Sequence, residues 1–205
     1  LRRHNREVPI IVLGQDYICS LSWRGLGAMV QAMRAAGTRG TPGQWFNKLS
    51  ALMRTPFYET IYLDCDIVIL SDPEKWFDLL GTDDFTWFQY SRRCEEVPDK
   101  MEYNLPNPHR VKEEFGIDTV PVIDGGGHYF FRATSRGQKL VASVAELMSD
   151  ALEDSKASIY CRIAGAGNIP ASDELAASIV AIREGICLPA TMPACNKCIG
   201  VYLPP

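Results

Sequence analysis

No apolar run in this chain reaches the about 18 residues that a membrane-spanning helix needs. A secretory signal is also missing: no basic segment is followed by an apolar stretch and a small-residue cleavage site. Leu1 is not a methionine, so the natural N-terminus is expected to lie upstream, where a targeting segment could stand. The expected location is the cytoplasm, or a lumenal or membrane-associated domain if such a segment precedes Leu1. Excess basic charge is lacking as well. The formal net charge is -4, with Lys and Arg scattered, which excludes the electrostatic footprint of a nucleic-acid binder. A paired set of cysteines is missing too. There are seven, and Cys65 stands inside an apolar run, which fits reduced cytosolic thiols better than a disulfide framework. Cys187, Cys195 and Cys198 form the only cluster, and no histidine follows it to complete a zinc site.

What is present is an ordinary globular composition, 46% hydrophobic and 22% charged over 205 residues, enough for one domain with a real core. Val8–Leu13 reads as a strand closed by Gly14, and Leu21–Ala36 has the apolar spacing of an amphipathic helix. Gly37–Gly43 is a loop, and Gln44–Met53 a helix with Trp45, Leu49 and Leu52 inward. Asp72-Pro73 opens another helix, with Trp76, Phe77 and Leu80 on its buried face. Phe85–Phe88 is a strand. Ser91–Pro121, polar and broken by prolines, reads as a long excursion over the surface. Val120–Ile123 and His128–Phe131 are apolar runs flanking Asp124-Gly125-Gly126-Gly127. Thr134–Leu152 is a helix with Leu140, Val144, Leu147, Met148 and Ala151 as its stripe, and Ser172–Arg183 is another with Ser172 as N-cap. Strands alternating with helices predict an α/β class, a mostly parallel sheet with helices on both faces.

The segment Ile61-Tyr62-Leu63-Asp64-Cys65-Asp66-Ile67-Val68-Ile69-Leu70 stands out. Two carboxylates inside an apolar run cost several kcal/mol each, of the order of the transfer penalty, unless paired or bound to a cation. The run reads as a strand buried on both faces that ends near Leu63, so that Asp64 and Asp66 project from its carboxyl end. In open α/β sheets that edge is where ligands bind. Two such carboxylates suit Mg²⁺ or Mn²⁺ with a diphosphate completing the shell, although capping or salt-bridged aspartates at a strand end would have the same spacing.

Two further groups carry chemistry. Three glycines after Asp124 suit a backbone that approaches a ligand closely, or simply a flexible hairpin loop. Asp173 and Glu174 stand in the first turn of a helix, which its dipole alone would explain. His128, a lone histidine beside a strand, reads as structural.

The block Lys48, Leu52, Thr55-Pro56-Phe57, Ile61–Asp66, Asp72-Pro73 and Trp76-Phe77 resembles the centre of the GT-A nucleotide-sugar glycosyltransferases. It is most similar to those of glycogenin/galactosyltransferase and fungal α-mannosyltransferase type. The likeness is close from Lys48 to Phe77 and follows element order more loosely beyond. It implies a nucleotide-diphospho-sugar transferase fold over residues 1–205, and a metal-dependent transfer of a sugar from a UDP- or GDP-sugar to a hydroxyl of a carbohydrate or glycoconjugate acceptor. On this resemblance Asp64 and Asp66 form the D-x-D that binds Mn²⁺ or Mg²⁺, with Asp64 also contacting the donor. Lys48 lies near the donor nucleotide or its phosphates. Asp124, with Gly125 and Gly126, touches the donor sugar ahead of the strand Tyr129-Phe130-Phe131-Arg132. Asp173 and Glu174 face the acceptor side as the catalytic carboxylates, a base if the enzyme inverts or a stabiliser of oxocarbenium-like charge if it retains. The resemblance leans towards retention.

The chain departs from that pattern twice. Val8–Leu13 matches the second strand of the fold, so the first nucleotide-binding strand is expected to be lacking. Many relatives add a histidine as third metal ligand near the C-terminus, and no histidine follows His128. Two other readings remain. A haloacid-dehalogenase-type phosphatase would use Asp64 as nucleophile and Asp66 as general acid, but no later Gly-Asp strand end follows. A non-catalytic binding protein of the same fold would accommodate the missing strand.

Overall fold

The computed structural model describes residues 7, 9–14, 29–32, 42–64, 72, 74, 77–78, 83–86, 89–93, 106–123, 128–153, 158–164 and 171–186. Within them the strands are β1 (Ile11–Gly14), β2 (Met29–Ala32), β3 (Glu59–Leu63), β4 (Phe85–Thr86), β5 (Gln89–Arg93), β6 (Thr119–Ile123) and β7 (His128–Arg132). The helices are α1 (Pro42–Met53), α2 (Pro108–Phe115), α3 (Ser135–Leu152), α4 (Ile159–Ala164) and α5 (Asp173–Glu184). Among the described residues no helix is long and apolar enough to cross a membrane.

Three ladders form: β1 with β2 in parallel, β3–β7–β4 antiparallel with β7 in the middle, and β5 with β6 antiparallel. The strand expected over Val8–Leu13 begins at Ile11, after Pro9, which has no N–H to give a ladder. Residues 29–32, expected inside a helix, are the strand β2. A short apolar run such as Met29-Val30 fits either period, and pairing with β1 decides it.

The aspartate-bearing strand ends at Leu63, as the cost of a buried carboxylate dictates. Its five residues are only half-buried, however, and among the described residues it has one neighbour, antiparallel β7. The strand buried on both faces is β7, where Tyr129, Phe130 and Phe131 in succession are covered. Its last residue, Arg132, ties the ladder together. The guanidinium donates through Nε and Nη2 to Glu59 Oε1, directly across on β3, at 3.0 and 2.9 Å, and through Nη1 to the Asp83 carbonyl at 3.2 Å.

Within the span 91–121, expected as a surface excursion, residues 91–93 and 106–121 are described. They hold the end of β5, helix α2 and the start of β6. Asn107 caps α2 by accepting from Arg110 N–H at 3.2 Å, Pro108 follows it, and Gly116 closes the helix with φ of 68°. Each is a standard helix signal. Val111, fully buried, anchors the helix to the core.

The core lies between the helices and the β3–β7–β4 ladder. Helix α3 buries Leu140, Val141, Val144, Leu147 and Met148 and packs on α1, α4 and α5. Helix α5 is different: Leu175 through Ala181 are all buried. A helix covered all round sits inside the molecule, and its Ala176, Ala177, Ser178 and Ala181 are small enough to let α3, α4 and β6 close around it.

The step from β7 into α3 is tight. Thr134 caps α3 by accepting from Gly137 N–H at 2.9 Å, and a Cβ on Gly137 would stand 2.1 Å from the Arg132 carbonyl oxygen. Because that neighbour is backbone, it cannot turn aside as a side chain would. Gly137→Ala is therefore expected to cost at least about 2 kcal/mol by displacing α3 from β7, read as a lowered urea midpoint with unchanged slope.

Candidate functional site

Asp64 is the first residue beyond β3, and its side chain is 24% exposed. Alternation along an extended segment places Tyr62 and Asp64 on the same side, and the Tyr62 hydroxyl donates to Asp64 Oδ1 at 2.8 Å. Directly opposite Tyr62 in the ladder stands Tyr129. The two rings lie 6.4 Å apart, and Tyr129 also stacks on Phe85 at 5.6 Å. A buried phenol needs a partner for its hydroxyl. Tyr129 donates to Asp173 Oδ2 at 2.5 Å, across 44 residues of chain.

Asp173 is the first residue of α5 and is 2% exposed. Its place is set by the cap before it: Ser172 Oγ accepts from Leu175 N–H, while the Ser172 N–H donates to the Tyr160 hydroxyl of α4 at 2.7 Å. Lys48 arrives from a third direction. Leu49 and Leu52 pin α1 to the core. The Lys48 ammonium, 12% exposed, lies 3.2 Å from Asp64 Oδ2 and 3.5 Å from Asp173 Oδ2. One cation thus joins the end of a strand to the start of a buried helix.

Burial works against the charge on Lys48, but Asp173 and Asp64 outweigh it and hold its pKa above the ordinary lysine value. Burial pushes Asp173 up, and the Lys48 ammonium and the Tyr129 hydroxyl pull it back only in part. The helix start also favours negative charge there. Tyr129 is raised well above the usual phenol range by burial and by the neighbouring Asp173 charge, so it serves as a neutral donor.

Three residues expected to carry chemistry, Lys48, Asp64 and Asp173, therefore meet in one cluster. Glu174 is half-buried beside them, within electrostatic reach of Lys48. Asp66, Asp124, Gly125 and Gly126 lie outside the described residues. Among the described residues β6 and β7 belong to different ladders, and His128 pairs with Leu63, next to Asp64. Sequence reading missed Tyr62, Tyr129 and Tyr160. Their available signal was position, since Tyr62 stands two residues before Asp64 and Tyr129 interrupts an apolar strand with a hydroxyl.

Among the described residues no three His, Cys, Asp or Glu side chains gather into a metal site. A carboxylate offers about four lone-pair directions. Tyr62 takes one on Asp64, Lys48 approaches another, and the partly exposed group retains capacity for a hard cation beside a second ligand. A cavity of about 400 Å³ lined by Ser135, Arg136, Lys139, Leu140, Ser143 and Glu184 shares no residue with this cluster.

Lys48→Met is expected to destabilise the fold at neutral pH by about 3–5 kcal/mol, because it leaves Asp173 buried without its cation. Adding Asp173→Asn should recover most of the loss. The loss should shrink in acid. A folded-state pKa raised above the unfolded value near 4 means that the folded form binds more protons, so stability rises as pH falls through the folded pKa. Urea unfolding of both variants at neutral and mildly acid pH checks the sign.

Comparison of the chain with protein-family models, with curated proteins and with solved structures finds no match.

Proposed function

We propose that the chain is a metal-dependent glycosyltransferase of the nucleotide-diphospho-sugar transferase fold, moving a sugar from a nucleotide-diphosphate donor to an acceptor hydroxyl. The observation that carries this reading is the meeting of Lys48, Asp64 and Asp173. They come from three segments of the chain, and both carboxylates lie within 3.5 Å of the Lys48 ammonium at the carboxyl end of β3.

The charge balance supports the same reading. One ammonium shared by two carboxylates leaves this group with excess negative charge, which a divalent cation at Asp64 and Asp66 would offset. The cation would supply Lewis-acid stabilisation to a departing diphosphate. Asp64 would hold it, with Tyr62 fixing the orientation of the carboxylate. Lys48 would add a second positive charge beside the phosphates without a mobile chain to order, since its position is already set. Glu174, less covered than Asp173, is the carboxylate better placed to meet an acceptor or a developing sugar cation. Asp124, Gly125 and Gly126 would complete the donor-sugar side next to His128. A retaining course remains the favoured stereochemistry.

Incubation with Mn²⁺ or Mg²⁺ and a panel of UDP- and GDP-sugars tests the proposal through release of the nucleoside diphosphate. Metal-dependent release that falls at least about a hundredfold in Asp64→Asn and Asp66→Asn is the expected result, the scale of losing electrostatic stabilisation at a reacting phosphate. Turnover of p-nitrophenyl phosphate without release from any sugar nucleotide would instead establish the phosphatase chemistry with Asp64 as nucleophile.

A further inference from the structure

We propose that Asp173 is a positioning residue that acts through Lys48 and does not itself touch substrate. The inference rests on the reading above only in taking the Lys48–Asp64 corner as the working centre. Its grounds are contact and access. Asp173 is 2% exposed, so an acceptor hydroxyl cannot reach its carboxylate without opening the core. The same oxygen, Oδ2, receives the Tyr129 hydroxyl at 2.5 Å and faces the Lys48 ammonium at 3.5 Å. A base or nucleophile needs a lone pair directed at the reacting atom, and here the two named partners converge on one oxygen from inside the protein.

The arrangement has the form of a brace. Tyr129 is held by stacking on Phe85, Asp173 by the start of α5 and its Ser172–Tyr160 contact, and Lys48 by both carboxylates. A lysine side chain loses about 2 kcal/mol of rotamer entropy when fixed. Asp173 and Tyr129 bear that loss during folding rather than during ligand binding. The ammonium is thereby held against Asp64 before any ligand arrives.

Lysine ammonium NMR of the ¹⁵N-lysine-labelled protein, with the Lys48 signal assigned by Lys48→Arg, tests the brace without reference to activity. The wild type should show a Lys48 ammonium signal protected from solvent exchange. Asp173→Asn should abolish that protection and Tyr129→Phe reduce it several-fold. If Asp173→Asn does not fold, Tyr129→Phe decides, and unchanged protection in the folded variants overturns the proposal. Calorimetric binding of UDP and GDP with Mn²⁺ provides the second readout. Lys48→Met and Asp173→Asn should each weaken affinity by a similar factor, about tenfold or more for one lost charge-assisted contact, and the double variant no further. Additive losses, or no loss in either single variant, overturn the positioning role. A wild type that binds neither nucleotide refutes the glycosyl-transfer reading, and the exchange measurement still decides the brace.

Discussion

The position of one ammonium group governs the arrangement of this molecule. Lys48 reaches from α1 to the end of β3 and to the start of α5. Hydrophobic packing is nondirectional, whereas the Lys48–Asp173 pair and the Tyr129–Asp173 hydrogen bond join particular atoms. The polar cluster costs desolvation, the cause that pushes the Asp173 pKa up.

The two tyrosines show how the ladder transmits that specification. Tyr62 and Tyr129 are direct cross-strand neighbours, yet each serves a different aspartate. Tyr62 orients the more exposed carboxylate at the strand end, and Tyr129 the covered one on α5. Register between β3 and β7 therefore fixes the spacing of the two carboxylates. A slip of one residue would put the two hydroxyls on opposite faces of the ladder. The Glu59–Arg132 pair at the far end of the same ladder opposes that slip.

Much of the scaffold was legible in the sequence where a local rule and the tertiary fold agree. Helices α1 and α3 carry clear period, and Thr134 and Ser172 are ordinary N-caps. The end of β3 at Leu63 followed from the cost of burying Asp64. Legibility failed where the deciding contact is remote. Nothing local separates strand from helix at Met29–Ala32, and only the partner β1 does so. Helix α2 was missed because surrounding prolines outweighed a complete cap-to-cap signature at Asn107, Pro108 and Gly116. In the site, Asp64 could be named from residue type and position and Lys48 and Asp173 only through the resemblance, while the difference in burial between Asp173 and Glu174 could not be read. Burial is a property of the assembled core.

The all-round burial of α5 has a consequence for the order in which the Lys48 cluster can assemble. Helix α5 is distant in sequence from α1 and β3, and its placement closes long loops, the slow and entropically costly class of contact. The core cannot be completed, nor Lys48 receive its second carboxylate, until that closure occurs. Site assembly and final core closure are then a single cooperative event. A collapsed intermediate in which α5 has not docked would still carry β3 and Asp64, but with Lys48 unbraced. The complete Lys48–Asp64–Asp173 cluster thus belongs to the chain with α5 in place.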